Sequence, residues 1–98
     1  MENQHKQIKG YRDLSQEEID LMNKIKALAE QVGELVEELE VKVADEFTKA
    51  SDVFDYNPDT ADYYESCEEA YGWVLAGKKD LKLGFMMLTR AVAKPTTF

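Results

Sequence analysis

The sequence predicts an all-α protein, an antiparallel helical hairpin behind a short N-terminal arm. Three observations predict it. The two prolines, Pro58 and Pro95, divide the chain into two long proline-free stretches. Both stretches repeat their apolar residues at helical spacing, three and four or seven apart. Each opens on a residue pattern that starts helices.

Residues 1–14 read as a polar, basic arm ending in Gly10-Tyr11-Arg12-Asp13-Leu14. The first helix is expected over about 15–50, opened by Ser15-Gln16-Glu17-Glu18. Ser15 can accept from the third helical N–H while Glu18 reaches back to the cap N–H, which is a capping box. Its apolar residues form three rows: Leu21, Leu28, Leu35; Ile25, Val32, Leu39; and Met22, Ala29, Val36, Val43. Residues 51–58 (SDVFDYNP) read as a turn. The second helix is expected over about 58–94, with Asn57 as cap, Pro58 at the first position and Asp59 at the positive dipole end. Its stripe is Cys67, Ala70, Val74, Gly77, Leu81, Gly84, Leu88 and Ala91, widened by Phe85 and Val92. Gly77 and Gly84 lie on that stripe at a cost of about 1 kcal/mol each against Ala. They read as points of close helix approach or as tolerated neutral glycines. Pro95 ends the pattern.

Equal helices joined by a short turn give a hairpin spanning 15–98. Each helix can show its partner one side only, and the apolar faces are wider than that. Self-assembly into a homo-oligomeric helical bundle is the expected solution.

The chain has 98 residues, which allows one domain. Its charge is −8 and its pI about 4.6, which repels DNA and RNA. One Cys and one His offer no disulfide framework and no zinc site of the usual kind. No metal or cofactor is expected. No long apolar run suits a membrane span, the polar N-terminus does not read as a signal peptide, and a cytosolic setting is expected. No Ser–His–Asp set, Cys–His pair or Gly-rich phosphate loop is available, so an enzyme is not expected.

The net charge conceals a split. Residues 1–14 carry +1, residues 15–73 carry −13 and residues 74–98 carry +4. In an antiparallel hairpin the arm lies beside the end of the second helix, so the cations gather there and suit a small anion. Arg90 and Lys94 are also accounted for by the negative end of a helix dipole. Tyr11 beside Arg12 suits a nucleobase and a phosphate, or packs as a staple on the first helical turn. Lys26 is either a phosphate contact or half of an i,i+4 ion pair with Glu30. His5 reads as an arm residue, Cys67 as core, and Tyr71 and Trp73 as packing.

Two strings carry a more specific signal: IKGYRDLSQEEIDLMNKIKALAEQVGELVEEL at 8–39 and GWVLAGKKDLKLGFMMLTRAVAKPTTF at 72–98. They resemble the phage-encoded anti-CBASS cyclic-oligonucleotide sponges, whose helical hairpin is shared with sponges opposing the Thoeris defence. The resemblance implies a non-enzymatic homohexamer in the cytoplasm of the infected bacterium. It would bind cyclic dinucleotides such as cyclic GMP–AMP between protomers and hold them uncleaved. Tyr11 of the GYR string and Lys26 of the N-x-x-K string match family contacts; Asn23 and Arg12 match with less defined roles, and Arg90 joins them at the basic end. Some members also hold cyclic trinucleotides in a second pocket, and cyclic ADP-ribose isomers are a further ligand class. Relatives often carry an Arg before the Trp of the second helix; here Gly72 stands there, which argues against the second pocket. The competing reading is a helical inhibitor or structural protein that grips a host protein through its apolar faces.

Overall fold

A computed structural model describes residues 13–95. The described residues form two long helices in a hairpin: α1 (Gln16–Tyr56), one 3-10 turn (Pro58–Thr60) and α2 (Ala61–Ala93). The assembly expected from the sequence lies beyond a single chain.

The helix ends follow local chemistry. The Ser15 N–H donates to Glu18 Oε1 at 2.9 Å and the Glu18 N–H donates to Ser15 Oγ at 3.1 Å, forming the expected capping box. Helix α1 runs to Tyr56, past the expected end near 50, and the turn shrinks to Asn57 and the 3-10 turn. No Gly or Pro interrupts 51–56, and Phe54 stacks on Tyr64 at 5.0 Å, so packing carries the helix onward. Asn57 adopts extended backbone and its Oδ1 accepts from the Asp59 N–H at 3.1 Å. At the far end Lys94 takes φ 48°, its N–H donating to the Arg90 carbonyl at 2.8 Å, and Pro95 follows.

Two compact units divide the chain: residues 32–81, and residues 1–31 with 82–98. In the 32–81 unit the antiparallel register is explicit. Phe54 meets Tyr64, Phe47 meets Tyr71 at 5.9 Å, and Glu40 meets Lys78 at 2.8 Å. Each step moves seven residues back along α1 and seven forward along α2, the spacing of knobs packed into holes. Phe47 also lies 5.5 Å from Tyr64, so it ties two turns of α2 to one of α1. Val43, Ala50 and Cys67 are buried here. The Glu40 carboxylate raises the Lys78 pKa above its ordinary value, chiefly through their hydrogen bond.

The other unit is thinner. Met22, Ile25 and Ala29 on α1, and Phe85, Thr89 and Val92 on α2, are half-buried; Ala93 is buried.

Two sequence expectations are corrected. The α2 stripe does not stay inward along its length. Cys67 is buried and Val74 half-buried, but Leu81, Leu88 and Ala91 are exposed, while Phe85 and Val92 remain half-buried. A helix of 3.6 residues per turn drifts by about 20° per heptad against a 3.5 repeat, which rotates the Cys67-Val74-Leu81-Leu88 row outward. Nor do Gly77 and Gly84 mark close approach within the hairpin: a Cβ added at either meets nothing within 4 Å.

Of the three α1 rows, Met22-Ala29-Val36-Val43 faces α2, and Leu21, Leu28 and Leu35 are 42, 53 and 63 % exposed. No large side chain is fully buried among the described residues.

Ser15→Ala is expected to cost about 1 kcal/mol through the lost cap. Phe47→Ala, which removes two ring contacts from a half-buried site, is expected to cost about 2–3 kcal/mol. Both are read from urea unfolding at one fixed protein concentration, because assembly makes stability concentration-dependent.

Candidate ligand site

Of the five expected site residues, Tyr11 and Arg12 lie outside the described residues. The other three fall in one compact unit, that of 1–31 with 82–98: Asn23 and Lys26 on α1, Arg90 on α2. Asn23 and Lys26 are three apart on α1 and therefore neighbours on its surface. Lys26 lies four residues beyond Met22 of the packed row, so it borders the face that meets α2.

All three side chains are exposed. The Lys26–Glu30 ion pair does not form; the ion pairs among the described residues are Lys42–Glu46, Lys49–Asp45 and Lys78–Glu40. All three belong to the 32–81 unit. Lys24, Lys26, Lys82, Arg90 and Lys94, the cations described in the other unit, form no ion pair among the described residues.

The charges divide along the same boundary. The 32–81 unit carries four bases and fourteen acids, net −10; the other unit's sequence carries eight bases and six acids, net +2. Exposed cations without carboxylate partners are available to an anion, and a small anion escapes most of the repulsion that the acidic unit exerts on a long phosphate chain. Among the described residues no group of His, Cys, Asp or Glu is placed to hold a metal ion, and no helix is long and apolar enough to cross a membrane.

Trp73 departs from its expected packing role. It is 69 % exposed, and its indole N–H donates to Glu69 Oε1 at 3.2 Å, one turn back on the same helix. The signal was in the sequence: Ser66 and Asp80, seven residues to either side, make that row a polar one. Tyr71 does pack, against Phe47. Cys67 is buried as expected, beside Tyr63, whose phenol it pushes above its ordinary pKa; Glu46 raises it further and Lys42 lowers it.

These features describe a small α-helical hairpin with exposed cations on one of its two units. Comparison with known proteins is more specific. The chain is 35 % identical to anti-CBASS protein 2 of Pseudomonas phage JBD67, across 97 % of both chains. It belongs to the anti-CBASS protein family. No family model matches it.

Because Asn23, Lys26 and Arg90 are exposed and unpaired, Asn23→Ala, Lys26→Gln and Arg90→Gln are each expected to change unfolding free energy by less than about 0.5 kcal/mol. Thermal unfolding of the three variants checks this, and separates any loss of binding from loss of fold.

Proposed function

We propose that this protein is a phage-made sponge that binds cyclic nucleotide messengers of the CBASS defence and holds them uncleaved in the cytoplasm of the infected cell. The observation that carries this reading is the likeness to anti-CBASS protein 2 across nearly the whole chain. The unpaired cations at Lys26 and Arg90 support it, since a cyclic dinucleotide presents two phosphates and two bases.

Symmetry explains how so few residues suffice. A cyclic dinucleotide on a two-fold axis between copies meets every contact twice. One Tyr11 and one Lys26 per chain then supply two stacks and two phosphate contacts, about 8 kcal/mol gross at about 2 kcal/mol each. Nanomolar affinity needs about 12 kcal/mol net, so Asn23, Arg12 and Arg90 from the same and neighbouring copies supply the remainder. The homo-oligomer, a hexamer by family resemblance, is what builds the wall that a lone hairpin lacks. Sequestration works by mass action: a sponge that outnumbers the messenger and binds it more tightly than the host effector does leaves that effector empty. No bond in the messenger changes.

A second reading, a helical inhibitor gripping a host protein, is favoured by the exposed leucines of α1. One experiment separates the readings. The protein is incubated with cyclic GMP–AMP, washed and denatured. Release of unchanged ligand is the expected result; cleaved product marks an enzyme, and no retention marks the protein-binding reading. By calorimetry Tyr11→Ala is expected to weaken binding far more than tenfold, since it removes two stacks, and Lys26→Ala to do so by a similar factor. A loss under tenfold for Tyr11→Ala contradicts the symmetric site.

A further inference from the structure

In the unit of 1–31 with 82–98, the outward face of α2 combines apolar bulk with positive charge. At about 3.6 residues per turn, Leu83, Met86, Met87 and Arg90 lie on the side of α2 away from Phe85, Thr89 and Val92, the half-buried residues of the same stretch. Leu83, Met86 and Met87 are 46, 61 and 58 % exposed. Lys82, one turn before Met86, and Arg90, one turn after it, are exposed as well, and Lys94 stands just past the helix end. Residues 81–98 hold these three cations and no Asp or Glu.

The charge sets this face apart from other exposed apolar residues. Leu21, Leu28, Leu35, Leu39 and Val41 are exposed on α1 too, but there residues 16–42 set eight carboxylates against three lysines. Lys82, Arg90 and Lys94 form no ion pair among the described residues. The adjacent methionines adapt their shape to varied apolar neighbours, which suits a recognition surface.

We propose that this face of α2 docks a helical segment of a partner protein that carries Asp or Glu between its apolar residues. Charge complementarity selects the occupant. Unpartnered cations call for carboxylates, and the large apolar groups between them call for apolar groups at matching spacing. An acidic amphipathic helix presents both on one side. A lipid surface is a poorer match. Cations and apolar groups alternate here within one arc instead of separating onto two faces, and anionic headgroups repel a chain of charge −8. Residues 1–12 match poorly as well, since they carry Lys6, Lys9 and Arg12 against Glu2. Contact through one helix face is small, so it is weak and transient, with a dissociation constant in the micromolar range. The proposal goes beyond the sponge reading and stands without it. Arg90, already assigned to the ligand site, is left unchanged in its test.

Fluorescence anisotropy of the full chain with a labelled synthetic peptide tests it. The peptide is helical, with Leu three and four residues apart and Glu between them; a scrambled peptide of the same composition is the control. Wild type is expected to bind the ordered peptide, more weakly as salt rises, and to ignore the scrambled one. Met86→Ser with Met87→Ser, and separately Lys82→Glu with Lys94→Glu, are each expected to weaken binding by about tenfold or more. All four positions are exposed, and circular dichroism checks that the helices persist. Lys82→Gln with Lys94→Gln serves if the charge-reversed pair fails to fold. Leu35→Ser, exposed on acidic α1, is expected to leave binding unchanged. Absence of binding, equal binding of the scrambled peptide, or full binding in both double variants overturns the proposal. So does a fall in sedimentation mass in those variants, which marks a second copy as the occupant. Cosedimentation of wild type with phosphatidylglycerol vesicles, lost in the same variants, marks a lipid surface instead and overturns it too.

Discussion

Two helices lying side by side can each hide one face, and both helices here are apolar on more than one. The rest of the structure follows from that limit. The seam between α1 and α2 consumes the Met22-Ala29-Val36-Val43 row and the Tyr64-Tyr71-Lys78-Phe85-Val92 row. What it buries is small: Val43, Ala50, Cys67 and Ala93. A domain of this size already hides a modest share of its surface, and with no large side chain fully buried the hydrophobic term is thin. The aromatic set Phe47, Phe54, Tyr64 and Tyr71 and the Lys78–Glu40 pair fix register near the turn. Nothing comparable fixes it among the described residues of the other unit.

That asymmetry extends to charge. The 32–81 unit is strongly acidic, and its described ion pairs tie down three of its four lysines. The other unit leaves its described cations unpaired and exposed. The described ion pairs and the described unpaired cations thus fall in different units. A cation held by a carboxylate in the free protein would have to be released before it could meet phosphate, at the cost of that pair; Lys26 and Arg90 carry no such penalty.

Much of the fold was legible because its signals are local. Ser15 with Glu18, Asn57 before Pro58, and Pro95 act within a few residues, and each behaves as its chemistry dictates. The misread features depend on tertiary geometry. Three α1 rows had equal claim to the seam, and composition could not say that Leu21-Leu28-Leu35 would be left outside. The drift that turned Leu88 outward accumulates over several heptads. The extension of α1 to Tyr56 depends on Phe54 finding Tyr64 across the turn. The site was less legible still. The i,i+4 spacing of Lys26 and Glu30 permitted an ion pair, but such a pair is worth a few tenths of a kcal/mol, too little for spacing alone to decide. Tyr11 and Arg12, suggested by a ring beside a guanidinium and by family likeness, lie outside the described residues.

In the proposed function a small cyclic anion is held intact by several copies of a hairpin that cannot enclose it alone. Native mass spectrometry of the full chain with cyclic GMP–AMP reads copy number and ligand mass in one spectrum. The account predicts multi-chain ions carrying the unmodified ligand mass, with single-chain ions carrying none. Ligand bound to single chains, or a bound mass corresponding to an opened ring, would contradict it.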